Sequence, residues 1–334
     1  SIPVPWEENI YEISDTHIPT QTNDINDAVS VEVGGASKCV IRSNGKVYCW
    51  GYAEEGLLGP PEPFFFSTFD PVEIQGLSHA ISTTTNSNFG CAILEDYRVA
   101  CWGLDNRGQS SIFPEPIDFE PRVFESIANV SKIVMSHFSI AWLTHSGQLF
   151  ISGQNPGYPN RQYETLLELD IPGFIIDVTM DTPGNTPGTI CALNNEGELY
   201  CWGLNRDGQA GQPTCQVCDN FVCWTCAEPG LVATNATKIY SGGAFSIFYT
   251  ENNEAYQFGR DSPDFFDNEH PIREPMLIED EQLPTNSLQI GYTHICVHND
   301  TNVWCRGSNL YGESGGDPIN SIFRYWNQVQ WHED

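Results

Sequence analysis

Positive charge is what this sequence has least of. Its 334 residues carry 14 Lys+Arg against 44 Asp+Glu, a formal net charge of −30 at pH 7. Phosphate backbones and anionic lipid headgroups are held by clusters of Lys and Arg, so nucleic acid and acidic membranes are excluded as expected partners. Long apolar runs are missing too: stretches such as 190–193 are broken within a few residues, far short of the ~20 residues that span a bilayer. There is no amphipathic helical pattern, phosphate-cradling glycine loop, Gly-x-Ser-x-Gly elbow or His-Glu-x-x-His pair. No cofactor, metal or catalytic constellation is therefore expected. The chain opens at Ser1 without a basic or apolar leader, which reads as a mature chain whose targeting segment has been removed. What remains is 40% apolar and 12% aromatic, the make-up of a folded globule rather than an acidic tail.

One phrase recurs. Cys39 to Cys49-Trp50-Gly51 returns as Cys91 to Cys101-Trp102-Gly103 and Cys191 to Cys201-Trp202-Gly203. Degenerate copies run from Ala141 to Ile151-Ser152-Gly153, from Ile247 to Gln257-Phe258-Gly259 and from Cys296 to Cys305-Arg306-Gly307. The closing glycines repeat about every fifty residues, a period that belongs to closed or stacked repeat architectures. Within each copy, runs such as Val31-Glu32-Val33 and Lys46-Val47-Tyr48-Cys49 alternate with period two and are separated by turns such as Ser43-Asn44-Gly45, the pattern of short strands. About four short strands per repeat make one blade of an all-β propeller.

The phrase is clearest at 191–209, Cys191 to Cys201-Trp202-Gly203-Leu204-Asn205 with Gly208-Gln209. It resembles the repeat of the regulator of chromosome condensation family in a cysteine-bearing form, over residues from about 31 to 316. The resemblance implies a propeller, usually of seven blades. Six closing glycines allow either a six-bladed ring or a seventh blade built from the two ends, since Val4-Pro5-Trp6 and 323–331 both read as strand-like. We expect an N-terminal arm over 1–30, ring-closing or donated to a neighbour, and a propeller over 31–334 with a Cys-rich insertion at 213–228.

Hairpin register explains the cysteines. In an antiparallel hairpin with the loop 43–45, Cys39 faces Cys49 directly, and the same count pairs Cys91 with Cys101 and Cys191 with Cys201. Cys296 and Cys305 are one residue closer and their loop, Asp300-Thr301, is one residue shorter. Facing Cβ atoms stand roughly 4.5–5.5 Å apart, within reach of a cross-strand disulfide. In two copies both members are lost together, Ala141 with Ile151 and Ile247 with Gln257, which buried free thiols would not require. Disulfides imply an oxidising compartment. The other four, Cys215, Cys218, Cys223 and Cys226, fit a small stapled hairpin pairing Cys215 with Cys226 and Cys218 with Cys223. Other connectivities stay open, and zinc is disfavoured by the short linker between the two Cys pairs.

That compartment gives weight to three glycosylation sequons, at Asn129, Asn235 and Asn299. His79, His137, His294 and His298 fall in or beside strands and are read as packed or surface residues. The acids around 261–269 and 279–281 lack a calcium-loop order and are read as solvated. In the family, nuclear members are exchange factors for a small GTPase. The cysteine pairs, sequons and acidity set that reading aside here. The expected function is a non-enzymatic extracellular interaction or structural module, with a protein partner or self-association and N-linked glycans. A secreted enzyme inhibitor, like a bacterial inhibitor of β-lactamase with a similar fold, would use Trp6, Trp224, Tyr325 and Trp326 as anchors. A glycan-binding lectin or propeller glycosidase is the third reading.

Overall fold

The computed structural model describes residues 22, 24–34, 37–52, 56–59, 67–86, 89–103, 120–155, 158–181, 188–212, 217–219, 222–243, 245–260, 272–278, 288–291, 294–299, 301–309, 314–315 and 322–329. They form six antiparallel sheets and no α-helix; five sheets have four strands and one has a short fifth. Strands follow chain order from the innermost outward in the four-stranded sheets; in the five-stranded sheet the short strand Val217–Asp219 lies outside Val222–Ala233, which follows it in the chain, and successive sheets pack face to face as propeller blades. The innermost strands are Ala28–Gly34, Ala80–Thr85, Val130–Met135, Ile175–Met180, Ala236–Ser241 and Leu288–Ile290.

The hairpin between second and third strands is the local engine of each blade. In blade one, Arg42 and Lys46 close the turn through Arg42 N–H donating to Lys46 O at 2.9 Å, and Gly45 takes φ 75°, the left-handed conformation that glycine adopts without a Cβ clash. That turn fixes register, so Cys39 stands opposite Cys49, Cys91 opposite Cys101, Cys191 opposite Cys201 and Cys296 opposite Cys305. All four pairs are disulfides with Cα atoms 4.0–4.1 Å apart. The cysteine-less copies keep the register, Ala141 facing Ile151 and Ile247 facing Gln257.

Packing between blades has one logic. The cystine of blade one lies in a cluster with Ala92, Ala100 and Trp102 of blade two, and that of blade two in a cluster with Ile140 and Trp142 of blade three. The cystine of blade four packs among Phe248 and Phe258 of blade five. Trp102 is fully buried and its Nε1–H donates to Leu57 O of the preceding blade at 2.8 Å. Gly90 lies flat beneath that indole; a Cβ there would come within 2.5 Å of Trp102 Cζ2.

Ile322–Gln328 is the outermost strand of blade six, paired with Val303–Ser308. The C-terminal segment is therefore committed to an existing blade rather than left to build a seventh, whereas Val4-Pro5-Trp6 and most of the expected arm lie outside the described residues.

Candidate functional site

A propeller offers two faces and a channel. Four hairpin turns hydrogen-bond to the start of the next blade's innermost strand: Ala80 N–H donates to Gly45 O, Val130 N–H to Tyr97 O, Ile175 N–H to Gly147 O and Ala236 N–H to Gly197 O, at 2.9–3.3 Å. Turns and strand starts thus share one face. Asn129 immediately precedes Val130, Asn235 immediately precedes Ala236, and Asn299 opens the blade-six turn with its N–H donating to Asn302 O. All three sequon asparagines are exposed and sit on this hairpin face.

The channel, about 750 Å³, is lined by all six innermost strands. It gathers Lys132 and Lys238, two of only four lysines in a strongly acidic chain. Lys132 Nζ lies 2.7 Å from Asp177 Oδ1, a pair that joins blade three to blade four. Tyr240 stands nearby, its phenol pushed up first by burial and then by the Asp177 charge. Glu32 of blade one also lines the channel; burial pushes its carboxyl up to about 7, with Lys132 pulling only weakly the other way. At the end of the blade-four strand, Asp181 is buried and accepts the Thr189 N–H, and burial raises its carboxyl well above the usual range.

These groups give stability a definite pH dependence. The folded-state value of Glu32, about 7, lies above the ordinary 4.5, so the unfolded chain ionises first as pH rises. The stability this carboxyl confers is complete below about pH 4.5 and is lost as pH climbs through about 7; Asp181 acts with the same sign. We expect Glu32→Gln to flatten that decline and to raise unfolding free energy at about pH 8 by ~2 kcal/mol, discounting its partial exposure to the channel. Denaturant titrations of both proteins at about pH 5 and pH 8 provide the check.

The other residues singled out from sequence scatter. His79 is exposed beside Glu95 at 3.2 Å, and His298 is exposed on a hairpin. His137 stacks edge-on against Phe138 at the channel wall, and His294 packs over Gly291. Trp326 lies under the Arg306 guanidinium, 4.8 Å from it, and packs against the blade-six core. Trp224 sits in a blade-four strand; Trp6, Tyr325 and the acids at 261–269 and 279–281 fall where no side chain is described. In the Cys-rich insertion, Val217–Asp219 pairs with the outer strand Val222–Ala233, placing Cys218 opposite Cys223. Cys226 is buried and disulfide-bonded, so its thiolate is not available to a metal, and Cys215 lies outside the described residues. Among the described residues no group of three or more metal-ligating side chains comes together.

The Regulator of chromosome condensation (RCC1) repeat model matches residues 188–209, the blade-four stretch that holds Cys191–Cys201, the buried Trp202 and the loop to Gln209. The chain carries a repeat of that kind there. The mouse regulator of chromosome condensation is 25% identical over 264 residues, 71% of this chain and 61% of that protein. The chain thus spans about three-fifths of the length of that relative. Among solved structures, yeast RCC1 (Prp20) bound to Kap60 superposes with a TM-score of 0.72 at 16% identity, covering 91% of this chain and 75% of that one. Human WBSCR16 superposes at 0.76 with 14% identity, covering 94% and 85%. At these identities the structural likeness speaks for the propeller fold alone. The channel charges, the cystines and the sequon positions are read from this chain alone.

Proposed function

We propose that this protein is an extracellular, N-glycosylated propeller that serves as a protein-interaction or structural module, one subunit of a larger assembly, without catalysis of its own. The observation that carries the reading is the set of four cross-strand cystines, three of them fully buried within and between the blades. Such bonds form and persist in oxidising compartments. Three exposed sequons on one face fit the same compartment, and a net charge of −30 opposes the nucleic-acid docking that nuclear relatives would need. The yeast relative is held by a protein, Kap60, which supports protein contact as the use of this scaffold here. We further propose that Cys215 pairs with Cys226 and Cys218 with Cys223, completing the oxidised set.

Mass spectrometry of the protein from its native source tests this. We expect a gain of two hydrogens per bond on reduction, and conversion of Asn129, Asn235 and Asn299 to Asp when glycans are released enzymatically. A fully reduced chain with three unmodified asparagines would end the extracellular reading.

A further inference from the structure

Blade two departs from the packing of its neighbours where its innermost strand meets the channel. At the fourth residue of that strand blades three, four and five carry Ile133, Val178 and Ile239, and at the sixth residue blades three and four carry Met135 and Met180. Blade two has Thr83 and Thr85 at these positions. Both are at most 7% exposed, both line the channel, and the Oγ1 of each has no hydrogen-bond partner among the described residues. Buried hydroxyls are nearly always paired, because an unmet one costs stability that an aliphatic side chain of the same shape would not. The other blades show that the fold itself does not call for threonine here.

Register shows what these hydroxyls face. Directly opposite residues of an antiparallel pair lie on one face of the sheet. Thr83 stands opposite Ala92 and Glu32 opposite Cys39, and Ala92 and Cys39 belong to one buried cluster between blades one and two. Glu32 and Thr83 therefore approach from the two sides of a single seam at the channel wall. Thr85 continues the blade-two side against Gly34, another channel-lining residue. The described channel lining holds no Arg, and its two lysines stand on the other side of the ring. There Lys132, Asp177 and Lys238, on the consecutive blades three, four and five, bring two ammonium groups and one carboxylate to the wall.

We propose that the channel binds a small zwitterion, a free amino acid or a short peptide, with its ammonium group at the seam of Glu32, Thr83 and Thr85 and its carboxylate at Lys132 and Lys238. The two ends of such a ligand match the two sides of the ring. An ammonium group carries three donors, and the seam supplies a carboxylate and two hydroxyl oxygens to accept them. On the other side each lysine also has three N–H donors, so Lys132 can keep its bond to Asp177 Oδ1 and still donate to a second acceptor. A volume of about 750 Å³ lies within the usual range of small-ligand sites. Phosphate groups fit less well, since neither an arginine fork nor a helix N-terminus lines the described channel. An amine or a carboxylate alone would leave one side of the ring unmet.

Titration calorimetry of the full chain with glycine, diglycine and triglycine, each also in N-acetylated and C-amidated form, tests the site. We expect at least one zwitterion to bind and the loss of either of its charges to weaken it by about tenfold, the weight of a charge-assisted contact. Glycine as the best probe would mark the ligand as a free amino acid, and a longer probe would mark it as a peptide. Binding should tighten by about tenfold between about pH 5 and about pH 7, because a bound ammonium group favours the ionised form of a carboxyl that burial otherwise raises to about 7. Glu32→Gln should abolish that rise while His137, Asp177, Tyr240 and the two lysines stay on the wall. Thr83→Val, which restores the residue type of Val178, should weaken binding and raise the urea midpoint of the empty protein. Absence of binding at millimolar concentration, equal binding of charged and blocked probes, or unchanged affinity in both variants would overturn the proposal. The reading of an extracellular module is untouched by any of these results, because it rests on disulfides and glycans.

Discussion

Replacing Cys191 and Cys201 together by alanine lowers the unfolding free energy by about 3–5 kcal/mol. The bond closes a loop with a sequence separation of 10, for which the chain-entropy model gives nearly 3 kcal/mol through restriction of the unfolded state. The rest comes from packing: both cysteines are fully buried in a cluster with Trp202, Phe248 and Phe258, so two missing sulfurs leave a cavity that the neighbouring blade only partly fills. Thermal and denaturant unfolding of the oxidised variant against wild type would measure this. Cys296→Ala/Cys305→Ala supplies the internal contrast. That bond closes a loop of nearly the same size, separation 9, but Cys296 is only half-buried. Its loss should approach the loop term alone, about 2.5 kcal/mol. Equal losses at both sites would show that burial adds nothing to the staples.

The second large effect is at Trp102. Trp102→Ala removes the largest fully buried side chain between blades one and two and leaves Leu57 O without its 2.8 Å donor. Truncation of a buried Trp costs about 3–5 kcal/mol, and an orphaned buried carbonyl adds to it. Trp102→Phe should recover more than half of the loss, because a ring still fills the space above Gly90. Gly90→Ala attacks the same contact from below, since its Cβ would meet Trp102 Cζ2 at 2.5 Å. Unfolding midpoints in urea at constant m-value rank the three variants, and a Trp102→Ala loss below about 1 kcal/mol would mean that the indole is not what joins the two blades.

Both effects were legible in the sequence to different depths. The cystines could be placed residue by residue because a short turn sets hairpin register, and register decides which side chains face each other. Trp102 could be seen as part of a repeating phrase, but its burial between blades, and the donation to Leu57, depend on how one blade meets the next. The channel groups were missed altogether. Lys132, Asp177 and Lys238 occupy the same repeat position, the third residue of their innermost strands, where Ser82 stands in blade two. Aligning the repeats by strand rather than by the Trp-Gly phrase would have shown a polar position amid apolar neighbours. Glu32 carries no such signal. It is one of 44 acids, and only the enclosing ring raises its carboxyl.

By itself the sequence determined the repeat, its length, the all-β character and the staples, because each follows from contacts within about ten residues of chain. Tertiary structure decided the rest: six blades among the described residues, three sequon asparagines on one face, an ion pair between Lys132 and Asp177 across two blades, and the buried hydroxyls of Thr83 and Thr85 at the channel wall. Every feature in that second group depends on the relation between repeats rather than on any one of them. A ring couples residues hundreds of positions apart, and local periodicity cannot show which side chains it brings together.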